Sequence, residues 1–276
     1  MSLEMASPHQ ALFDSIPQSG LKCDILFLVI RNRIAEEPDY VKKLRVVFQF
    51  NITKDGKIAA TWTCDTRSSI EGDIYRSTPK PGIKADVILT VDDEDWVKIM
   101  VGKLNPQRAF MMSKFKIKGN IMLLQKLHAL WFELRRKGKT PELDLLQDLM
   151  VNETLIPGLK SEAMAIEIVQ RVVRLPHLIN TINATIQVNI LKGSQLATIY
   201  SIDLKEGSKP VFRRGEPPTK PDVTFTIDDD DIVLLIYSIL KVNDAIESGK
   251  VKIEGKFEIV ERAKVLFDQP PILSKL

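Results

Sequence analysis

Hydrophobic and polar positions change period several times along the chain, and each change marks an element. Residues 21 to 35 place Leu21, Ile25, Leu28 and Val29 at helical spacing, a stripe that must pack on something. Leu44, Val46, Phe48, Phe50 and Ile52 then alternate with Arg45, Val47, Gln49 and Asn51, the period of a half-buried strand. Asp55-Gly56 supplies a tight turn, and Ile58, Ala60, Trp62 and Cys64 return on the other arm of a hairpin. Further strands are predicted near Ile70 to Tyr75 and at Asp86 to Val91, giving an antiparallel sheet with one apolar face to cover.

The cover follows at once. Asp92, Asp93, Glu94 and Asp95 place carboxylates where a helix N-terminus has unpaired amides, and Trp96, Ile99, Met100 and Leu104 recur behind them at helical spacing. A calcium loop is the competing reading, but the alternating ligands, central glycine and distant glutamate of an EF-hand are missing. After Asn105-Pro106 comes the apolar run Ala109, Phe110, Met111 and Met112. A fifth strand sets Phe115 and Ile117 against Lys114, Lys116 and Lys118 until Gly119-Asn120 ends it. In the next helix Ile121, Leu123, Leu124, Leu127, Leu130, Trp131 and Leu134 cover more of the circumference than one sheet face can bury. A partner, a membrane or an internal ligand must take the remainder.

Residues 84 to 131 and 220 to 267 are one segment written twice, aligned without a gap at an offset of 136 residues. That period is too long for a solenoid unit and reads as two copies of a domain. The second copy runs through a helix around Ala163 to Val173, strands at Ile186 to Ile190, Leu196 to Leu204 and Val223 to Ile227, and a helix with Ile232, Leu235, Ile236 and Ile239. Val251 to Ile253 form its last strand, and Ile259, Val260, Ala263, Leu266 and Phe267 its last helix. Each copy is predicted to be α+β, a five-stranded, mainly antiparallel sheet covered on one face by helices. The predicted organisation is a tail at 1–20, a first domain at 21–137, a linker at 138–158, a second domain at 159–269 and a tail at 270–276. Within the linker, Thr140-Pro141-Glu142 marks a helix start, with Leu143, Leu146 and Met150 on one face, either as a lid over the first domain or as a linker helix packed on the surface. Pro271, Ile272 and Leu273 are the matching lid for the second.

Charge and chemistry narrow the function classes. The 39 basic and 36 acidic residues are spread along the chain and leave a net charge of +3, which disfavours a nucleic-acid partner. Cys23 and Cys64 lie among apolar neighbours without metal-ligand spacing and are expected to be buried free thiols. No stretch of 18 apolar residues and no leader pattern is present, so a soluble, non-secreted protein is expected. His9, His128 and His177 are the only histidines, and no nucleophile elbow, zinc helix, P-loop or dinucleotide loop occurs. The expectation is a protein that is not an enzyme and needs neither cofactor nor metal. Methionines are concentrated at Met100, Met111, Met112 and Met122, near Trp96, Phe110 and Phe115, which by composition reads first as a filled core and also suits an interior that adapts to varied aliphatic guests. Ser274-Lys275-Leu276 matches the tripeptide read by the peroxisomal import receptor, giving an expected peroxisomal matrix location with a cytosolic pool.

The segments KADVILTVDDEDW, GKLNPQRAF and KFKIKGN, with VKKLRVVFQFNITKDGKIAATWTCD before them, closely resemble the sterol carrier protein family, also called non-specific lipid-transfer proteins. The second copy keeps Lys220-Pro221-Asp222-Val223, the acidic cap, Ala245 and the strand up to Gly255, but has Lys241-Val242-Asn243 in place of Asn105-Pro106-Gln107. The resemblance implies the sterol-carrier fold, with a hydrophobic tunnel between sheet and helices taking fatty acids, fatty acyl-CoAs, phospholipids or sterols, without catalysis. It implies that Trp96, Ile99, Met100, Leu104, Phe110, Met111, Phe115, Ile117, Leu124 and Leu127 line the first tunnel, with Gln107 and Arg108 near its mouth. In the second copy the same role falls to Ile232, Leu235, Ile236, Ile239, Ile246, Val251, Ile259 and Ala263. Each methylene moved from water into such a tunnel is worth roughly 0.8 kcal/mol, enough for a long acyl chain to bind without specific polar contacts. Transient membrane contact fits a carrier. The alternative is an interaction scaffold or dimerisation module whose broad apolar helix faces enclose no ligand.

Overall fold

The alternation seen in sequence shows directly in β1 (Val47–Lys54), which buries Phe48, Phe50 and Ile52, whereas the returning arm of the hairpin departs from it by leaving Ile58 exposed and burying Thr63 and Asp65. A computed structural model describes residues 16, 18–36, 38–67, 73–207 and 209–268. Leu21–Asp144 form one unit, and the described residues from Leu145 onward, with Ile16 and Gln18–Gly20, form the other. The expected strand end at Ile70, the tail 270–276 with its lid residues 271–273, and Ser274, Lys275 and Leu276 lie outside the described residues.

The first domain runs α1 (Lys22–Glu36), α2 (Pro38–Leu44), β1, β2 (Lys57–Asp65), β3 (Asp73–Tyr75), β4 (Val87–Asp92), α3 (Asp93–Met100), α4 (Pro106–Met111), β5 (Phe115–Gly119) and α5 (Ile121–Arg136). Strand order is β3-β2-β1-β4-β5, with β1 and β4 parallel and the other three pairings antiparallel. The hairpin turn holds Asp55 at φ 53° and Gly56 at φ 75°, the doubly positive geometry that matches strand twist. At Gly119, φ is 108° and an added Cβ would lie 2.1 Å from the Asp86 carbonyl oxygen, so only glycine lets β5 close on β4.

Helix α6 (Pro141–Asn152) spans the division between the units. The second domain continues with α7 (Ser161–Arg174), α8 (His177–Ile182), β6 (Thr185–Lys192), β7 (Gln195–Asp203), β8 (Val211–Arg214), β9 (Val223–Asp228), α9 (Asp229–Ile236), α10 (Val242–Glu247), β10 (Val251–Gly255) and α11 (Phe257–Lys264). Its order, β10-β9-β6-β7-β8, is the same topology, again with one parallel pair, β6 with β9. The predicted elements omit β8, whose four residues bury only Phe212 and are too few to show a period.

Repetition reaches individual side chains. Asp92 caps α3 by accepting from the Glu94 amide at 3.1 Å, and Asp228 caps α9 by accepting from the Asp230 amide at 3.0 Å. The next carboxylate does something the cap reading misses. Asp93 is buried and accepts from the backbone amides of Lys22 and Cys23 at 2.9 and 2.8 Å, fastening the start of α1 to the start of α3. Burial raises its pKa from the ordinary aspartate value, against the pull of those two amides. Asp229 fastens α7 in the same way through the amides of Lys160 and Ser161 at 3.0 and 2.9 Å.

A second repeated group ties the first helix to the sheet. Asp24 accepts from Trp62 Nε1 at 2.8 Å and Arg76 Nε at 3.1 Å. In the second domain Glu162 accepts from Tyr200 Oη at 2.9 Å and pairs with Arg214. Each carboxylate is nearly inaccessible and each is answered by charge and hydrogen bonds, as a buried ion must be.

Candidate functional site

Between the sheet and the helices of the first domain lies a cavity of about 90 Å³. The strands give Phe50 of β1, Cys64 of β2, Ile74 of β3, Leu89 of β4 and Phe115 of β5 to its lining. The helices give Phe27 and Ile30 of α1, Trp96, Ile99 and Met100 of α3, Pro106 of α4, and Leu124, Leu127, His128 and Trp131 of α5. Phe27 stacks on Trp62 with centroids 4.8 Å apart, and Trp96 lies 5.1 Å from Phe50, so the aromatic rings of the wall pack against one another and against the sheet. Trp131 Nε1 donates to the Met100 carbonyl at 3.0 Å, pinning the end of α3 to α5.

Two lining residues can titrate. Burial pushes the Cys64 thiol up to about 12, with Asp65 adding to the shift, and keeps it protonated. Burial lowers the pKa of His128, which favours its neutral form on the cavity wall. An empty space of this size costs roughly 2 kcal/mol at about 24 cal/mol per Å³, whereas most native interiors leave little more than room for a water.

The sequence-derived residues divide. Trp96, Ile99, Met100, Phe115, Leu124 and Leu127 come together on the wall. Leu104, Phe110, Met111 and Ile117 do not line it, and neither do Gln107 and Arg108, which are exposed. Helix α4 has only six residues: Pro106 reaches the cavity, Ala109 is buried in the core, and the rest faces solvent. Met111, Met112 and Met122, expected inside, are all exposed. Leu143, Leu146 and Met150 of α6 are buried, but none lines the cavity. Phe27, Ile30, Phe50, Cys64, Ile74, Leu89, Pro106, His128 and Trp131 line the wall without being among its expected residues. His128 and Trp131 follow Leu124 and Leu127 by one helical turn, so continuing that stripe finds them.

The second domain is packed more closely than the first. Among the described residues its interior shows voids of about 10 Å³, and of the expected liners only Ile232 borders one of them. Leu235, Ile236, Ile246, Val251, Ile259 and Ala263 border neither, and Ile239 is largely exposed. Phe225 and Phe267 stand where the first domain has Leu89 and Trp131, and their rings meet at 5.5 Å. Beside them the inaccessible guanidinium of Arg171 pairs with Glu167 at 3.2 Å and donates to the carbonyls of Leu266, Phe267 and Ile236.

This pair of α+β domains, one hollow and apolar, has counterparts. The sequence pattern of the SCP-2 sterol transfer family matches residues 28–131 and again 168–268, more than half of the chain, and the chain belongs to that family. Peroxisomal multifunctional enzyme type 2 of Mus musculus is 44% identical over 123 residues, covering 44% of this chain and 16% of that protein. Sterol carrier protein 2 of Homo sapiens is 36% identical over 124 residues, covering 44% of this chain and 22% of that protein. The matches thus span less than a quarter of either relative. Among solved structures, sterol carrier protein 2 from Yarrowia lipolytica in its apo form is 28% identical, covering 42% of this chain and 94% of that one, with a TM-score of 0.38.

Proposed function

We propose that the chain binds and carries lipids with long aliphatic parts, whether fatty acids, fatty acyl-CoAs, phospholipids or sterols, and that the first domain alone holds the cargo. The carrying observation is the cavity of about 90 Å³ walled by apolar side chains, against voids of about 10 Å³ in the second domain. Apolar burial without directional polar groups favours guests by length and flexibility more than by head group. The role proposed is non-catalytic. The lining thiol is held protonated by burial and no carboxylate stands on the wall with the histidine, so neither is set up for group transfer. Native mass spectrometry of the full chain tests this reading. One added lipid mass per chain is expected, and a chain that takes up none from fatty acid, acyl-CoA, phospholipid or sterol would end it.

A peroxisomal location is part of the proposal, supported by the Ser274-Lys275-Leu276 tripeptide and by the peroxisomal relative. A fluorescent protein fused ahead of the chain should collect in peroxisomes through the import receptor. Removing Leu276 should leave it in the cytosol.

A further inference from the structure

The exposed apolar side chains of the first domain sit in an unusual field of charge. Met111 is 84% exposed and Met122 67%, with Phe110, Met112 and Ile121 also in solvent. From Trp96 to Phe132 the chain carries seven lysine or arginine side chains and no aspartate or glutamate. Lys114 pairs with Asp95 at 2.5 Å, but Lys103, Arg108, Lys116 and Lys126 have no acid partner among the described residues. The matching stretch of the second domain, Ile232 to Asp268, holds six acids against six bases, so the fold itself does not demand the asymmetry.

Apolar tips amid unpaired cations fit one surface above others, that of an anionic bilayer, where methionine and phenylalanine enter the interface and lysine stems keep their ammonium groups among phosphates. We infer that α4, the turn after it, β5 and the outer face of α5 form a docking surface for anionic lipid membranes. Contact is peripheral, since among the described residues no helix is long and apolar enough to cross a membrane. The same elements give Pro106, Phe115, Leu124 and Leu127 to the cavity wall, so docking would bring that wall to the lipid.

The test uses the full chain with phosphatidylcholine vesicles, with and without phosphatidylserine. Co-sedimentation is expected only with the anionic vesicles and should weaken as salt is added. Met111→Glu with Met122→Glu, and separately Lys116→Glu with Lys126→Glu, should each cut the bound fraction about tenfold. All four side chains are exposed, and unchanged circular dichroism checks that the fold survives. Equal binding to neutral vesicles, or full binding by both double variants, would overturn the inference. So would a dimer of the free chain that the methionine variants dissociate without any vesicle binding, which assigns the patch to a second copy. Lipid mass in vesicle-free samples reads the cavity separately, so the two proposals fail independently.

Discussion

Arg171 donates from Nη2 to the carbonyl oxygen of Ile236 at 2.5 Å, whereas in the first domain the corresponding carbonyl, that of Met100, is satisfied by Trp131. The same backbone need is met by a buried ion in one domain and by an aromatic ring bordering a cavity in the other. Removing a partner from a buried ion pair costs about 3–5 kcal/mol, because the remaining charge has no water to turn to. Arg171→Met should therefore lower the melting temperature of the second domain while leaving that of the first in place. Adding Glu167→Leu should recover part of the loss, as differential scanning calorimetry would show. Equal stability of the single and double variants would remove the pair from the account.

The two fastening carboxylates predict a matched pair of effects. Asp93→Ala strips two buried amides of α1 of their acceptor, and Asp229→Ala does the same to α7. Each substitution should cost its own domain about 2 kcal/mol or more, since an unmet buried donor carries its full desolvation penalty. Chemical denaturation followed domain by domain should show one transition moving in each variant, and a different one.

Leu127→Trp places added volume inside the first cavity. Loss of bound lipid in native mass spectra is expected with little change in folding temperature, because the new ring replaces empty space. Leu127→Ala enlarges the same space and should keep uptake while destabilising the lipid-free protein by about 2–5 kcal/mol. Undiminished uptake by the tryptophan variant would place the ligand elsewhere.

His128 gives the protein a pH dependence of definite sign. Burial lowers its pKa in the folded state below the unperturbed 6.5. The unfolded chain therefore takes up the proton first, so this contribution to stability is present above pH 6.5 and is lost as pH falls below it. Protonation also puts a cation on the apolar wall. Lipid affinity and the folding temperature of the first domain should both decline from about pH 7.5 to about pH 5.5, and His128→Leu should flatten that part of the decline.

Sequence patterns reported faces well and partners poorly. Alternation from Phe48 to Ile52 gave the buried side of β1, but period alone does not say that β4 pairs with it in parallel. The acidic run at Asp92 to Asp95 showed where α3 begins, while the grip of Asp93 on α1 depends on residues some seventy positions away. The stripe carrying Leu124 and Leu127 revealed a face needing cover, yet an apolar side chain reads the same whether it meets another side chain or a void. The methionines mark the opposite limit: Met111 and Met122 look like core by composition, yet both stand in solvent. Filling of the second domain depends on Arg171 folding inward, a choice that a charged residue on a helix does not announce.

The acid, aromatic and arginine at Asp24, Trp62 and Arg76 correspond to Glu162, Tyr200 and Arg214, with a longer acid facing a smaller ring. Length and bulk have been traded against each other, so neither residue fits the opposite setting by itself. Anyone grafting the hollow interior onto the other half to build a chimera would have to transplant the three as a single cassette.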